Sequence, residues 1–240
     1  MFEEGIYNPD YVKRLFNRMS NSYERMNYIT SFGFSIRWRT QFLKPLEESN
    51  DEIKVIDLLT GMGETWGAVK HRFPNSNLTA LDFSYEMLKY AGHRNQSKFN
   101  KEITLIQQDI LGNQLPSNHF DIVICAFGLK TFNVEQITVL ANETKRILKE
   151  GGRFSFIEIS KPSNKILKLL YGFYLGHIIP IFGKLLLGNP EEYRMLWRYT
   201  DKFENAKIAQ RNFDAVGLKT EFISYFFGCA TGFHGKKIEG

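Results

Sequence analysis

Short apolar runs alternate with longer amphipathic stretches through the middle of the chain. The run from Ile53 to Leu59 is interrupted only by Lys54 and Asp57, which is typical of a buried strand in a parallel sheet. The stretch that follows it, Glu64 to Arg72, has the spacing of a helix. Because this alternation is repeated along the chain, it predicts an α/β fold whose parallel sheet is covered by helices on both faces.

The same pattern predicts the later elements of the sheet. Further strands are expected at Leu78–Leu81, Ile103–Gln107, Phe120–Phe127 and Arg153–Ile159. Helices are expected from a Ser84 cap to about His93, and from about Val134 to Lys149 before Gly151 and Gly152.

The end of the chain predicts a different strand direction. A helix near Phe203–Val216 is expected to stop at Gly217, before strands at Leu218–Tyr225 and about Cys229–His234. Only a few residues separate these two strands, so they should form a hairpin, with the last strand antiparallel to its neighbour.

Two apolar regions lie outside this alternation. The N-terminal region predicts a helix over Pro9–Arg25 and a second through Trp38 to about Leu43, which together would cap the ligand edge of the sheet. The segment Ile166–Leu187 is apolar but contains Lys168, Pro180 and other interruptions, so it predicts short helices broken near Pro180. These helices could be core, or could form the wall of an apolar substrate site.

Composition and charge narrow the class of protein. The chain has 240 residues, of which 43% are hydrophobic and 24% charged, with a net charge of +5. These values predict one large globular domain. Nucleic-acid binding is disfavoured because the sequence has no long run of basic residues. The modest positive charge is compatible with a mild attraction to anionic lipid surfaces. Cys125 and Cys229 lack metal-site spacing and are expected to be buried free thiols. Without a signal-peptide pattern at the N-terminus, we expect a reducing, cytoplasmic compartment.

The turn after the first strand carries the candidate chemistry. Gly61 and Gly63 let a ligand approach the backbone, although two glycines can also mean only a tight turn. The third glycine of a dinucleotide fingerprint is replaced by Trp66, and Glu64 would repel a pyrophosphate, so a ligand without phosphates is favoured over NAD. Asp82, about 20 residues further on, is placed to accept hydrogen bonds from ribose hydroxyls.

Separate blocks of sequence then resemble the UbiE/Coq5 family of C-methyltransferases from menaquinone and ubiquinone biosynthesis. The matching blocks are Tyr23–Asn27, Ser31–Ser35, Trp38, Leu81–Ser84, Arg146–Arg153 and Glu158–Pro162. Three departures fall on functional positions: Ser35 stands where the family has a histidine, and Lys130 and Thr131 stand where it has an Arg-Asn pair facing the acceptor.

The resemblance implies a class I methyltransferase: a Rossmann-like sheet of seven strands with the last antiparallel, binding S-adenosylmethionine without a metal. It divides a single domain of residues 1–240 into a cap (1–46), a cofactor-binding core (53–160), an acceptor-side insertion (163–200) and a closing helix and hairpin (203–235). The cofactor-binding residues it implies are Tyr23, Met26, Asp57, Gly61, Gly63, Asp82, Phe83, Asp109, Ile110 and Ala126.

Six of these residues have a specific expected role. Asp57 would hold the ammonium group, Asp82 the ribose, and Asp109 the adenine amino group, unless Asp109 only caps a helix. Ile110 would pack on the adenine, and Tyr23 and Met26 would close over the sulfonium.

The acceptor is expected to be an apolar aromatic or quinol-type molecule. Lys130 could stabilise its phenolate, or could be an ordinary loop lysine; His177 is a second catalytic candidate, or a packed histidine. Tyr171, Phe173 and Tyr174 either line an acceptor pocket or simply pack. Peripheral membrane contact at the inner face and a homodimer are compatible with this interpretation.

Three alternatives stay open at this point. The chain could be a diverged methyltransferase that modifies oxygen, nitrogen or carbon of another small molecule. It could also be a cofactor-binding protein without catalysis. An NAD oxidoreductase is disfavoured by Trp66 and by the closing hairpin.

Overall fold

A seven-stranded mixed sheet forms the centre of the protein. The computed structural model describes residues 4–20, 31, 33–174, 178 and 190–238, with the side chains of residues 190–193 excepted. The strand order is β3-β2-β1-β4-β5-β7-β6. The strands are β1 Lys54–Leu58, β2 Asn77–Asp82, β3 Thr104–Gln107, β4 Phe120–Ala126, β5 Leu148–Ile159, β6 Leu218–Tyr225 and β7 Ala230–Lys237.

The direction of the strands confirms the fold expected from the sequence. Strands β1 to β5 pair in parallel, whereas β7 runs antiparallel to both of its neighbours, β5 and β6. A single 3-10 turn, Phe226–Gly228, joins β6 to β7. Because this connection is too short for a crossover, it inserts β7 as an antiparallel strand between β5 and β6.

Helices cover both faces of the sheet. They are α1 Pro9–Met19, α2 Phe34–Gln41, α3 Trp66–Arg72, α4 Tyr85–Lys98, α5 Val134–Ile147, α6 Lys165–Phe173, α7 Pro190–Phe203 and α8 Lys207–Ala215. One apolar core lies beneath α5 and α8 and includes Phe154 and Phe213. A second core lies beneath α2, α3 and α4 and includes Trp38 and Trp66. This two-sided burial explains why the central strands are apolar almost throughout.

The sequence placed most elements correctly and several boundaries incorrectly. Ser84 caps α4 as expected, since its hydroxyl oxygen accepts a hydrogen bond from the Met87 amide at 3.2 Å. The helix α5 ends at Ile147 rather than Lys149, and β5 begins at Leu148 rather than Arg153. Leu148 is already paired with Phe120 of β4. This long-range pairing ends the helix before the two glycines.

The N-terminal and insertion regions are described only in part. Helix α1 ends at Met19 instead of Arg25, and residues 21–30 lie outside the described part of the chain. The expected break near Pro180 also lies outside it. Within the described part, no helix is both long enough and apolar enough to cross a bilayer. The cysteines Cys125 and Cys229 are buried and free, as expected.

Candidate functional site

Three aspartates lie at or near the carboxyl ends of the first three strands and line one cavity. Asp57 lies within β1, Asp82 ends β2, and Asp109 follows β3 by two residues. Because β1, β2 and β3 are neighbouring parallel strands, their carboxyl ends meet at one edge of the sheet. The cavity therefore occupies the edge where α/β sheets bind ligands.

Most of the cofactor residues expected from the sequence lie in the wall of this cavity. Those found there are Asp57, Gly61, Asp82, Phe83, Asp109, Ile110 and Ala126. Val12 and Phe16 of α1 complete the wall on the side of the N-terminal region. The space between the walls, counted out to its open mouth and therefore including solvent, is about 840 Å³.

Asp57 is held by a chain of hydrogen bonds from the turn. The Thr60 hydroxyl donates to Asp57 Oδ2 at 2.6 Å, and the indole N–H of Trp66 donates to the Thr60 hydroxyl oxygen at 2.8 Å. Burial raises the pKa of Asp57 to about 7, with the Thr60 hydrogen bond opposing this shift. A cation in the cavity would favour the ionised carboxylate and so would bind well beside it.

Asp82 connects the turns after β1 and β2. Its Oδ2 accepts from the Gly61 amide at 2.8 Å, and its Oδ1 accepts from the Ser84 amide at 2.9 Å. Burial raises the pKa of Asp82 to about 6, although these amide hydrogen bonds lower it. A carboxylate offers about four acceptor sites, so Asp82 can also accept two hydroxyl groups of a ligand.

Asp109 caps a short helix and also faces the cavity. Its Oδ1 accepts from the Leu111 amide at 2.9 Å, at the start of the 3-10 helix Ile110–Gly112. The capping role considered from the sequence is therefore present. Asp109 nevertheless lines the cavity with Ile110, whose side chain is fully buried. Capping uses one carboxylate oxygen, so the two roles are compatible.

Two non-glycine residues of the cavity wall have left-handed backbone conformations. Leu59 has φ 56° and Phe127 has φ 67°, and they follow β1 and β4 respectively. Such conformations are uncommon for bulky side chains and concentrate at ligand sites. Gly128 comes next in the wall, and a Cβ there would lie 2.3 Å from Leu59 Cδ1. Any larger residue at position 128 would force the Leu59 side chain to move.

Gly63 packs against Trp66, and its expected role in cofactor binding stays a prediction. It is not in the described cavity wall, and a Cβ added to it would lie 2.6 Å from the Trp66 ring. With φ 76°, this glycine lets the turn pass tightly over the indole. Trp66, which stands at the third-glycine position, is fully buried. The glycine therefore accommodates a tryptophan that positions Thr60 and Asp57.

A buried ion pair lies at one end of the cavity. Arg39 of α2 donates from Nη2 to Glu64 Oε1 at 3.3 Å, and its guanidinium lies 4.8 Å from the centre of the Phe127 ring. Both charged side chains line the cavity. Glu64 raises the pKa of Asp57 and Arg39 lowers it, which indicates that all three charges are close.

Lys130 is neither a solvated loop residue nor part of the described cavity wall. Its side chain is 5% exposed, and Nζ donates to Glu158 Oε1 at 2.7 Å. Glu158 is fully buried, and its Oε2 accepts from the Lys130 amide at 3.2 Å. This pair holds the turn Leu129–Thr131, in which Thr131 lines the cavity. The catalytic role considered for Lys130 stays a prediction.

Several expected site residues lie elsewhere or outside the described part. Tyr23, Met26 and His177 are outside it. Tyr171 is partly buried and packs against the second core, and Phe173 is 56% exposed. No group of side chains suited to hold a metal ion is found among the residues that the structure describes.

The sequence did not single out some members of the wall. Thr60 and Phe127 lie in segments that the sequence analysis describes, but nothing in the local sequence indicates that they line a cavity. Arg39 could not be identified from the local sequence either, because its partner Glu64 is 25 residues away. The amphipathic spacing that predicted α1 was the one available sign that Val12 and Phe16 would face inward.

Replacement of Asp57 by asparagine should change how stability depends on pH. Asp57 has a pKa of about 7 when folded, against 3.8 as its ordinary value. Because the folded state binds this proton more tightly, the stability it contributes is greatest below the ordinary value and is lost as pH rises through about 7. Between about pH 5 and pH 8, Asp57→Asn should therefore gain roughly 2–3 kcal/mol in free energy of unfolding relative to the unsubstituted protein.

Urea denaturation without ligand at several pH values measures this gain, and Asp51→Asn, at an exposed position, is the matched control. Parallel pH profiles for Asp57→Asn and the unsubstituted protein would contradict the raised pKa.

The Lys130–Glu158 pair should behave as one unit in a double-mutant cycle. Lys130→Met leaves Glu158 buried without its cation, which should cost about 3–5 kcal/mol in free energy of unfolding. Glu158→Gln should lower the free energy of unfolding much less in the Lys130→Met variant than in the unsubstituted protein, because Lys130 is already absent there. Chemical denaturation of the four proteins gives the coupling, with Lys98→Met, at an exposed position, as control. Additive effects would show that the pair is not coupled.

Comparison with known proteins identifies the family of the chain. The profile of the ubiE/COQ5 methyltransferase family matches residues 6–237. A demethylmenaquinone methyltransferase of Staphylococcus aureus strain JH9 is 31% identical over 228 residues, covering 95% of this chain and 92% of that protein.

Solved structures share the fold. Phosphoethanolamine N-methyltransferase 2 of Haemonchus contortus, in complex with S-adenosyl-L-methionine, superposes with a TM-score of 0.65 at 13% identity, covering 100% of this chain and 60% of that one. A SAM-dependent methyltransferase of Aquifex aeolicus superposes with a TM-score of 0.55 at 17% identity, covering 83% of this chain and 89% of that one. The family match extends over nearly the whole chain, and it includes the strands that build the cavity. The chain therefore belongs to the ubiE/COQ5 methyltransferase family and is an S-adenosylmethionine-dependent methyltransferase.

Proposed function

We propose that this enzyme methylates a ring carbon of a quinol-type acceptor, with the cofactor lying across the ends of β1, β2 and β3. The observation that carries the placement is that Asp57, Asp82 and Asp109 line one cavity in the order of their strands. The demethylmenaquinone methyltransferase that is similar over 95% of the chain supports the acceptor class.

The residues of the wall fit the cofactor's chemistry. In this proposal Asp57 holds the ammonium group, Asp82 accepts the ribose hydroxyls, and Asp109 accepts from the adenine amino group beside Ile110. The described wall contains four carboxylates and one guanidinium, Arg39. This negative excess suits a ligand with a net positive charge and disfavours a pyrophosphate.

The bound cofactor supplies a methyl group that is already activated on a sulfonium. The protein's contribution is then to align the acceptor and to exclude water. Val12, Phe16 and Phe127 give the cavity an apolar side suited to an aromatic ring. Lys130 could contact an acceptor phenolate only if its ion pair with Glu158 were broken. We therefore propose that Lys130 acts indirectly: its ion pair holds the turn that places Thr131 in the cavity wall.

The proposed regions of the chain follow this arrangement. Residues 1–46 act as the cap, 53–160 as the cofactor-binding core, 163–200 as the acceptor-side insertion, and 203–235 as the closing helix and hairpin. Thr131 and Ser35, which depart from the family pattern, favour a second candidate in the same class, a methyltransferase for another phenolic acceptor. Thr131 lines the cavity, whereas Ser35 is buried and accepts a hydrogen bond from the Ser31 hydroxyl.

A turnover assay tests the acceptor. The purified enzyme, labelled S-adenosylmethionine and a reduced demethylmenaquinone should give a product labelled on a ring carbon. Asp82→Asn should raise the KM for S-adenosylmethionine roughly 10- to 100-fold, because two charge-assisted hydrogen bonds are weakened. Asp51→Asn is the matched control.

A panel of phenols and catechols distinguishes the second candidate. Methyl transfer to one of these and not to the quinol would replace the proposed acceptor. Binding of the cofactor without transfer to any acceptor would contradict the catalytic proposal.

We also propose that the exposed face of α6 contacts an anionic membrane surface. Ile166, Leu169, Leu170 and Phe173 are 56–74% exposed, and the neighbouring Lys168 is exposed. An apolar helix face with adjacent lysines suits the boundary of a bilayer that carries acidic headgroups. A quinol acceptor with an isoprenoid tail would be held in such a bilayer. A homodimer stays a prediction.

Sedimentation with vesicles tests this contact. The protein should bind vesicles containing phosphatidylglycerol more strongly than pure phosphatidylcholine vesicles, and less at high salt. Ile166→Ser with Leu169→Ser should abolish this binding, whereas Val139→Ser, on the exposed side of α5, should not. Protein that stays in the supernatant with both vesicle types would refute the contact.

A further inference from the structure

Arg39 is the single cationic side chain in the described wall of the cavity. The other charged residues of that wall are Asp57, Glu64, Asp82 and Asp109. Arg39 is 7% exposed overall, so its charge is held largely out of water. Such burial is unfavourable unless the charge is paired, and Arg39 is paired with Glu64 through one contact of 3.3 Å. A guanidinium carries five N–H donors, so Arg39 can also bind an anionic group of a ligand in the cavity.

The position of Arg39 along the sheet edge identifies that group. The strand order is β3-β2-β1-β4, and Arg39 lies over Phe127, which follows β4, and pairs with Glu64, which follows β1. The proposed sites for adenine and ribose follow β3 and β2. Arg39 is thus at the opposite end from adenine, beyond Asp57, where the amino-acid part of the cofactor would end.

We propose that Arg39 binds the carboxylate of the methionyl part of S-adenosylmethionine, exchanging its contact with Glu64 for this ligand. The proposal rests on the cofactor placement given above. The exchange is favourable because the Arg39–Glu64 contact is a single hydrogen bond of 3.3 Å, whereas a guanidinium can bind a carboxylate through two parallel hydrogen bonds.

The exchange also balances the charges of the site. The guanidinium stays stacked on Phe127, which limits its motion to a change of hydrogen-bond partner. Glu64 is released beside Asp57, and the two carboxylates then face the ligand's ammonium group. The carboxylate of the ligand thus replaces Glu64 as the partner of Arg39, and no buried charge is left unpaired.

Calorimetry with three ligands tests the proposal without catalysis. The ligands are S-adenosylhomocysteine, its decarboxylated analogue and 5′-methylthioadenosine, which lacks the whole amino-acid part. Arg39→Met should weaken the binding of S-adenosylhomocysteine roughly 10- to 100-fold. The affinities for the two ligands without a carboxylate should change by less than about threefold. Arg39→Lys should recover part of the loss, because lysine keeps the charge but not the planar fork.

Arg37→Met is the matched control, since Arg37 is exposed on the same helix α2 and should affect no ligand. Equal weakening of all three ligands by Arg39→Met would overturn the proposal, because Arg39 would then act only on the shape of the cavity. Unchanged binding of S-adenosylhomocysteine would overturn it as well. Failure of the unsubstituted protein to bind any of the three ligands would instead contradict the cofactor placement.

Discussion

The site depends on the burial of carboxylates at the ends of parallel strands. An aspartate removed from water is costly when ionised, and burial raises the pKa values of Asp57 and Asp82 above their ordinary range. The protein offsets this cost with donors from its own turns: the Thr60 hydroxyl for Asp57, and the amides of Gly61 and Ser84 for Asp82. The same contacts shape the turns and prepare the acceptors for a ligand.

The turns are joined to one another by backbone hydrogen bonds as well. The Thr60 amide donates to the Leu81 carbonyl at 3.0 Å, and the Gln108 amide donates to the Asp82 carbonyl at 3.2 Å. The ends of β1, β2 and β3 are therefore a connected frame and not three independent loops. A ligand that spans them meets preformed acceptors, which lowers the entropy lost on binding.

The charge of this cavity disfavours a dinucleotide, although the α/β architecture is one that dinucleotide-binding proteins share. A pyrophosphate needs amides and cations, whereas this cavity presents carboxylates with one guanidinium at the far end. Trp66 reinforces the difference, because its buried indole occupies the position of the third glycine and connects Thr60 to the core. The residues that depart from a dinucleotide fingerprint are thus the ones that build the alternative site.

The succession of strands and helices along the chain, the antiparallel last strand and the aspartates at the strand ends could all be predicted from the amino-acid sequence. These features depend on local periodicity, on turn chemistry and on the length of one connection, all of which are readable along the chain. The likeness to a methyltransferase family was carried by short blocks of residues in register.

Which side chains contact one another could not be predicted from the sequence. Lys130 and Glu158 are 28 residues apart in sequence, and Arg39 and Glu64 are 25 apart, yet each pair is in contact. The close packing of Gly63 against Trp66 is likewise visible only in the structure. Contacts of this kind arise from the crossing of separate elements, and no local pattern encodes them. The sequence determines which groups are available, and the packing of helices against the sheet decides their partners.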